Sequence, residues 1–319
     1  MRKALVVGLN GYLVPNALSC CDNDANEITT LLSRNEDGKV NFDVHTITDK
    51  CTKNVLWNEI CKTFADNSDV SLLYFSGHGN NLNGGAICTT DDNCITMINM
   101  LNVVNASNCK NKVVILDCCF SGNMGTVLLE NDLSALAKGV TIIAASEAWQ
   151  VSVENNNIQH GIFTNLLIEG LKGGAANING VITPASLYSF VDQSLGPWEQ
   201  RPVFKTNVSE LLPIREVKPK VTVNKLRLLC EYFSQANQNY KLDPSYEYTN
   251  ALNVEHNVVE PYADENNVKI LKDLQLFESV GLVEPVDEKH MYWAAMHSKS
   301  CRLTALGRHY WRLAKNNKI

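Results

Sequence analysis

Ser71-Leu72-Leu73-Tyr74-Phe75-Ser76-Gly77-His78-Gly79 is an apolar run that stops at a histidine held between two glycines. The run, taken from Val70 to Phe75, reads as a buried strand, and Gly-His-Gly continues neither a strand nor a helix. The same grammar returns where Val113-Val114-Ile115-Leu116 runs into Asp117-Cys118-Cys119-Phe120-Ser121-Gly122. Working outward, apolar runs rich in β-branched residues also occur at Ala4–Gly8, Phe42–Ile47, Val140–Ala145 and Val203–Lys205. Helical patterns lie between them, at Asp22–Leu32, Val55–Phe64, Ile95–Val104, Ile162–Leu171 and Pro184–Leu195. This alternation predicts an α/β unit, a mostly parallel six-stranded sheet flanked by helices. Asp22 and Thr183 are expected as helix caps, with Pro184 in a first turn where its missing N–H costs nothing.

In an open parallel sheet, functional groups gather beyond the carboxyl ends of the strands. If the strands ending at His78 and at Cys118-Cys119 are neighbours, a thiol and an imidazole face each other. That pair suffices for nucleophilic catalysis: the thiolate attacks, and the imidazole lowers its pKa and protonates the leaving amine. The N–H of Gly79 and that of the nucleophile would hold the oxyanion. Spacing alone leaves the choice between Cys118 and Cys119 open. His45, His256, His290, His297 and His309 have no cysteine or acid context that recommends catalysis.

Tyr74-Phe75-Ser76-Gly77-His78-Gly79 and Asp117-Cys118-Cys119-Phe120-Ser121-Gly122 resemble the two signature motifs of the caspase-like cysteine peptidases (C14), and among them the metacaspases and their prokaryotic counterparts. The similarity also takes in Lys3–Gly8, Asn23-Asp24-Ala25, His160-Gly161-Ile162-Phe163-Thr164, Gly170–Ala175 and Arg201-Pro202-Val203-Phe204, in the expected order. It implies a caspase-like fold and a Cys-His dyad of Cys119 and His78, with Cys118 the variable residue between Asp117 and the nucleophile. Phe120 departs from the metacaspase pattern, where a histidine commonly follows the nucleophile.

Family pockets use the positions matching Cys21, Asp24, Ser76 and Asp117. Acidic groups there would select a cationic side chain, and arginine best through paired hydrogen bonds. Cleavage after Arg or Lys is therefore expected, and cleavage after Asp is not, because no basic residue lies near these motifs. The resemblance leaves a calcium requirement open, but it is not favoured: calcium takes six to eight oxygen ligands, and no further carboxylate near Thr126 is read as completing a cage with Asp91-Asp92. Asp91 and Asp92 are expected to cap the following helix or line a substrate loop. Ser146, Glu147, Glu154, His160 and Asn165 fall where such enzymes shape the substrate groove, and each is read as structural, His160 as part of a helix start.

The chain has 319 residues, 45 % hydrophobic and 19 % charged, which excludes disorder and leaves room for two domains. A peptidase domain is expected at 1–212, a linker at 213–223 and a second domain at 224–319. That second domain reads as winged-helix-like: helices at Asn224–Asn237 and Asp264–Val280, short strands at Leu282–Val286 and Met291–Met296, and a last helix at Thr304–Ala314. Its charge is segregated: residues 255–288 hold nine acids and two lysines, and residues 289–319 hold seven basic residues and no acid. Arg308, Arg312 and Lys315 share a helical stripe, which leaves two readings: nucleic-acid binding, or pairing of the basic helix with the acidic one in a partner-binding regulatory module.

Eleven cysteines, an odd count without C-x-x-C spacing, point to reduced thiols without zinc. No apolar run could cross a membrane, and the segment before Gly8 is too short for a secretory signal, so a cytoplasmic chain is expected. Lys138, Arg215, Lys218 and Lys220 are candidate self-cleavage sites. The resemblance implies a prokaryotic defence or programmed-death effector, cutting a gasdermin-like or other defence protein. The competing reading is a DNA-binding or partner-binding regulator whose peptidase half is a sensor or is catalytically silent.

Overall fold

In chain order the first part of the molecule is β1 (Arg2–Gly8), α1 (Cys21–Ser33), β2 (Asp43–Thr48), α2 (Lys53–Ala65), β3 (Val70–Ser76), β4 (Gly79–Asn80), β5 (Ala86–Cys88), β6 (Cys94–Thr96), α3 (Met97–Ala106), β7 (Asn111–Asp117), β8 (Val140–Ala144), α4 (Ile162–Glu169), β9 (Val181–Ile182), α5 (Pro184–Ser194), β10 (Val203–Asn207) and β11 (Arg215–Glu216). The computed structural model describes residues 1–13, 17–65, 67–118, 136–145, 160–196, 201–208, 210, 212–252 and 258–319. Cys119, Phe120, Thr126, Ser146, Glu147 and Glu154 lie outside the described residues. The chain divides into two units, Met1–Lys218 and Pro219–Ile319. No helix among the described residues is long and apolar enough to cross a membrane.

Six strands form the main sheet of the first unit, in the order β10-β8-β7-β3-β1-β2, all parallel except β10, which runs against β8. The expected α/β sheet is present. Its central strands read as unbroken apolar runs because helices cover both faces. Ala4, Val6, Leu72, Tyr74, Val113 and Ile115 pack with Ala25 and Ile28 of α1, Phe163 and Leu167 of α4 and Leu187 of α5. The alternate residues Leu5, Val7, Leu73, Phe75, Val114 and Leu116 pack with Leu56, Ile60 and Phe64 of α2 and Met100 and Val104 of α3.

Several local expectations are corrected. Asp22 is inside α1, not its cap, and its Oδ1 accepts from the Asp49 N–H at 2.9 Å. Thr183 does cap α5, in a reciprocal pair with Ser186. The helix expected from Ile95 begins at Met97, because Cys94–Thr96 is strand β6 and the Thr96 hydroxyl accepts from the Asn99 N–H. Asp91 does not cap that helix either: it accepts from Thr89 Oγ1 at 2.6 Å and from the N–H of Lys53, the first residue of α2. The first part of the expected linker is bound into the first unit. Arg215–Glu216 pairs with β9, Ile214 is buried, and the Arg215 guanidinium donates to the Leu31 carbonyl at 3.0 Å.

The second unit comprises α6 (Val223–Arg227), α7 (Leu229–Tyr232), β12 (Asn239–Lys241), α8 (Glu265–Ser279), β13 (Val283–Val286), α9 (Met291–Met296), β14 (Ser300–Leu303) and α10 (Ala305–Lys315). Its strands form an antiparallel sheet in the order β12-β14-β13. Residues 291–296, expected as a strand, are helical because Met291, Ala294 and Ala295 are the buried set, at helical spacing. The expected pairing of the basic helix with the acidic one is not how this unit is built. α10 packs on α6 and α7, where Trp311 Nε1 donates to the Phe233 carbonyl at 2.6 Å. On α8, Asp273 is taken by Lys225 of α6 and by the Tyr232 hydroxyl of α7. None of the ion pairs among the described residues joins α10 to α8.

Candidate active site

The parallel register sets Gly8, Ser76 and Asp117 at one level on β1, β3 and β7. The two motif-bearing strands are direct neighbours, so His78 and Cys118 both follow this level at the carboxyl edge of the sheet. Cys118 continues the strand's alternation onto the face of Leu116 and is 3 % exposed within the core. Burial of that kind gives a thiol the role of a small apolar side chain. Cys119 is the next residue.

The backbone of His78 is held by Tyr12. The His78 N–H donates to the Tyr12 hydroxyl at 3.0 Å, and that hydroxyl donates to the Cys88 carbonyl at 2.9 Å. The phenol thus stands in the β4–β5 ladder where the His78 N–H would otherwise meet the Cys88 carbonyl, while the Cys88 N–H bonds the His78 carbonyl directly at 2.8 Å. Burial raises the pKa of Tyr12, so it keeps the proton this bridge needs. Its ring meets the imidazole edge-on, with centroids 4.5 Å apart. Gly77 is required by the same contact, since a Cβ there would stand 2.6 Å from the Tyr12 oxygen. Gly79 lies opposite Ile87. Because His78 and Cys88 are the hydrogen-bonded pair, the alternation turns the Gly79 N–H away from β5.

A second cluster lies on the other side of the same strand ends. Asp24, in the first turn of α1, is 1 % exposed. One of its oxygens accepts from Ser76 Oγ at 3.0 Å, and the other meets His160 Nδ1 at 2.9 Å. Asp117 Oδ2 accepts from Thr164 Oγ1 at 2.7 Å, and Thr164 in turn meets the Tyr74 hydroxyl. Cys21, the first residue of α1, is buried against Ser76, and its N–H donates to Asn10 Oδ1. A Cβ on Gly161 would stand 3.2 Å from Asp117 Oδ2 and 3.7 Å from Asp24 Oδ2, so both carboxylates border one small space above a residue without a side chain.

Burial dominates the electrostatics here. It raises Asp24 above the usual carboxylate range, opposed by the bonds from His160 and Ser76. It pushes Asp117 up to about 7, with the Asp24 charge adding to the rise and the Thr164 hydroxyl opposing it. The Cys21 thiol is pushed up by burial too, against the Ser76 hydrogen bond. Two buried acids that border one space and lack a Lys or Arg partner among the described residues form an arrangement that an incoming cation would satisfy.

Four of the residues singled out in the sequence, Cys21, Asp24, Ser76 and Asp117, are thus brought together, and His78 is placed across the strand ends from them. His160, Thr164, Tyr12 and Tyr74 belong to these clusters and were not legible as such. Tyr74 stands in the first signature motif and His160 and Thr164 in His160-Gly161-Ile162-Phe163-Thr164, with His160 also at a groove-shaping position but read as structural, while Tyr12 has no signal.

A comparison with curated proteins finds no match. The family model of the Peptidase C14 caspase domain matches residues 1–213, which is two thirds of the chain and spans the whole six-stranded sheet with both strand ends described above. With its sheet order, its Gly-His-Gly turn and its Asp-Cys-Cys strand end read together with that match, the chain belongs to the caspase-domain family of peptidases.

Proposed function

We propose that this member of a cysteine peptidase family cuts protein substrates after Arg or Lys, with Cys119 as nucleophile and His78 as its acid–base partner. The observation that carries the specificity is the convergence of Asp24 and Asp117 on the space over Gly161, at the edge of the strands that lead to His78 and Cys119. A guanidinium or ammonium entering that space replaces lost water with charge-assisted hydrogen bonds. The Cys119 thiolate attacks the scissile carbonyl, and His78 delivers a proton to the leaving amine. Water then releases the acyl group from the sulfur. The N–H groups of Gly79 and Cys119 receive the oxyanion. The buried position of Cys118 supports Cys119 as the nucleophile. The substrate is a protein of a prokaryotic defence or programmed-death response, and the second unit supplies regulation through a partner. The β12-β14-β13 order, with α8 leading into the β13–β14 pair, supports a winged-helix-like reading of that unit.

Hydrolysis of fluorogenic peptides with Arg, Lys or Asp before the scissile bond tests this reading. Turnover after Arg and Lys that Cys119→Ala abolishes and Cys118→Ala retains is the expected result. Turnover after Asp, or loss with Cys118→Ala alone in a folded chain, would overturn it.

A further inference from the structure

Cys88 on β5 and Cys94 on β6 face each other with their sulfurs 2.8 Å apart, closer than van der Waals contact between two sulfurs. Both are free and partly exposed, and the peptidase reaction uses neither. The ladder explains why they meet. The Cys88 N–H bonds the His78 carbonyl, so the Cys88 backbone faces β4, and the neighbouring Thr89 N–H bonds the Asn93 carbonyl on the β6 side at 2.8 Å. Antiparallel pairs alternate, which makes Cys88 and Cys94 a non-hydrogen-bonded pair, the kind whose Cα atoms lie about 4.5 Å apart and whose side chains are closest. A disulfide takes Cα separations of about 4.4–6.8 Å, so this pair can be bridged without moving the strands. The two sulfurs also differ. Asn80 Nδ2 donates to Cys94 Sγ at 3.2 Å. Burial and the adjoining Cys94 raise the pKa of the Cys88 thiol, so it holds its proton.

We propose that Cys88 and Cys94 are a reversible thiol–disulfide couple that closes in the presence of a hydroperoxide. The Cys94 thiolate attacks a peroxide oxygen and the O–O bond breaks; with hydrogen peroxide the products are a sulfenic acid on Cys94 and, after proton uptake, water. The Cys88 sulfur then attacks the Cys94 sulfur. The S–S bond forms, the S–O bond breaks, and the departing hydroxide leaves as water with the Cys88 proton. Two thiols are oxidised and one peroxide is reduced to two waters. A dithiol reopens the bond by exchange. The bond would lock β5 to β6 next to the carbonyl that holds Tyr12 and the N–H that holds His78. The link itself depends on no assumption about catalysis.

The test uses the full chain carrying Cys119→Ala, treated with hydrogen peroxide, blocked with an alkylating reagent and digested without reduction for mass spectrometry. The expected result is a peptide, or a joined pair of peptides, holding Cys88 and Cys94 with two hydrogens lost and no alkyl label, both thiols becoming labelled after dithiothreitol. Chains with Cys88→Ser or Cys94→Ser should lose this link, and Cys94 in the Cys88→Ser chain should be trapped as a sulfenic acid by dimedone. Alkylation of both thiols after an oxidation that modifies other cysteines of the chain would overturn the proposal. So would linkage of either thiol to a different cysteine.

Discussion

Asp117 carries a pKa of about 7 because its carboxylate is buried beside another acid, and this makes it the side chain most exposed to test by pH. In the proposed pocket its ionised form binds the substrate cation. The ratio of kcat/KM for an Arg peptide between the wild type and Asp117→Asn should therefore grow as pH rises from about 6 to about 8, reaching on the order of 10²-fold, the scale of an unpaired buried charge partner. A ratio that is flat with pH would remove Asp117 from cation binding. Folding gives the opposite slope. The folded pKa is raised above the unfolded value of about 3.9, so the folded state holds the proton more tightly between the two values. The contribution of this group to stability is complete below about pH 4 and is lost as pH climbs through about 7. Urea unfolding of wild type against Asp117→Asn should show that difference, with the variant gaining relative stability as pH rises. His160 makes a second test at this scale. Its side chain is 21 % exposed and that of Asp24 is 2 %, so His160→Ala takes a partner from a carboxylate that water cannot reach. A loss of about 1–3 kcal/mol is expected. His160→Asn keeps an N–H near the Nδ1 position and should recover most of it, and equal losses in the two variants would mean that the ring's packing matters rather than its bond to Asp24.

At the scale of elements, β11 decides where the chain can be cut between its units. Arg215 is in that strand, buried, with its guanidinium on the Leu31 carbonyl, and the Arg2 guanidinium bonds the carbonyls of Pro213 and Ile214. A protease needs an extended, accessible backbone, so Arg215 is a poor site although its side chain fits the proposed pocket. Lys218 and Lys220 are exposed, and Lys218 precedes Pro219. Self-cleavage should therefore follow Lys220, giving a fragment that begins at Val221 in the wild type and none in Cys119→Ala by intact-mass measurement. A fragment beginning at Glu216 would show that β11 opens readily. The same elements show what a single sequence reveals. Strands buried on both faces are legible as apolar runs, and a histidine between glycines marks where one must stop. β4, β5 and β6 are two or three residues long, too short to establish a period, so β4 and β5 have no signal and Ile95-Thr96 of β6 falls within the helix expected over Ile95–Val104. The bond between His160 and Asp24 joins residues 136 positions apart, and only the packing of α4 over the sheet edge makes them neighbours. The four residues marked for the pocket come from three separate segments, and they were legible through their place in family motifs rather than through any local pattern.

The whole molecule combines two cores of different construction. The first unit is built on a six-stranded sheet with long-range parallel pairing, and the second on a three-stranded antiparallel sheet. In the second, Leu226, Leu229, Phe233, Leu271, Leu274, Phe277 and Leu282 are all fully or nearly fully buried. Asn250 is also fully buried there, and its amide bonds the carbonyls of Pro244, Val259 and Pro261, so this unit has its own satisfied polar centre. Charge differs as well: residues 1–218 sum to −7 and residues 219–319 to +1, so acid should disturb the two cores unequally. A core of this size can fold by itself, and unfolding enthalpy scales with chain length at about 0.7 kcal/mol per residue. Scanning calorimetry of the full chain should then resolve two transitions with an enthalpy ratio of roughly two to one, in the order of the unit lengths. Separate fragments 1–218 and 219–319 should each reproduce one of them. If neither fragment shows a cooperative transition while the full chain shows a single one, the division into units would be geometric only, and removing the second unit would cost the first its fold rather than its control.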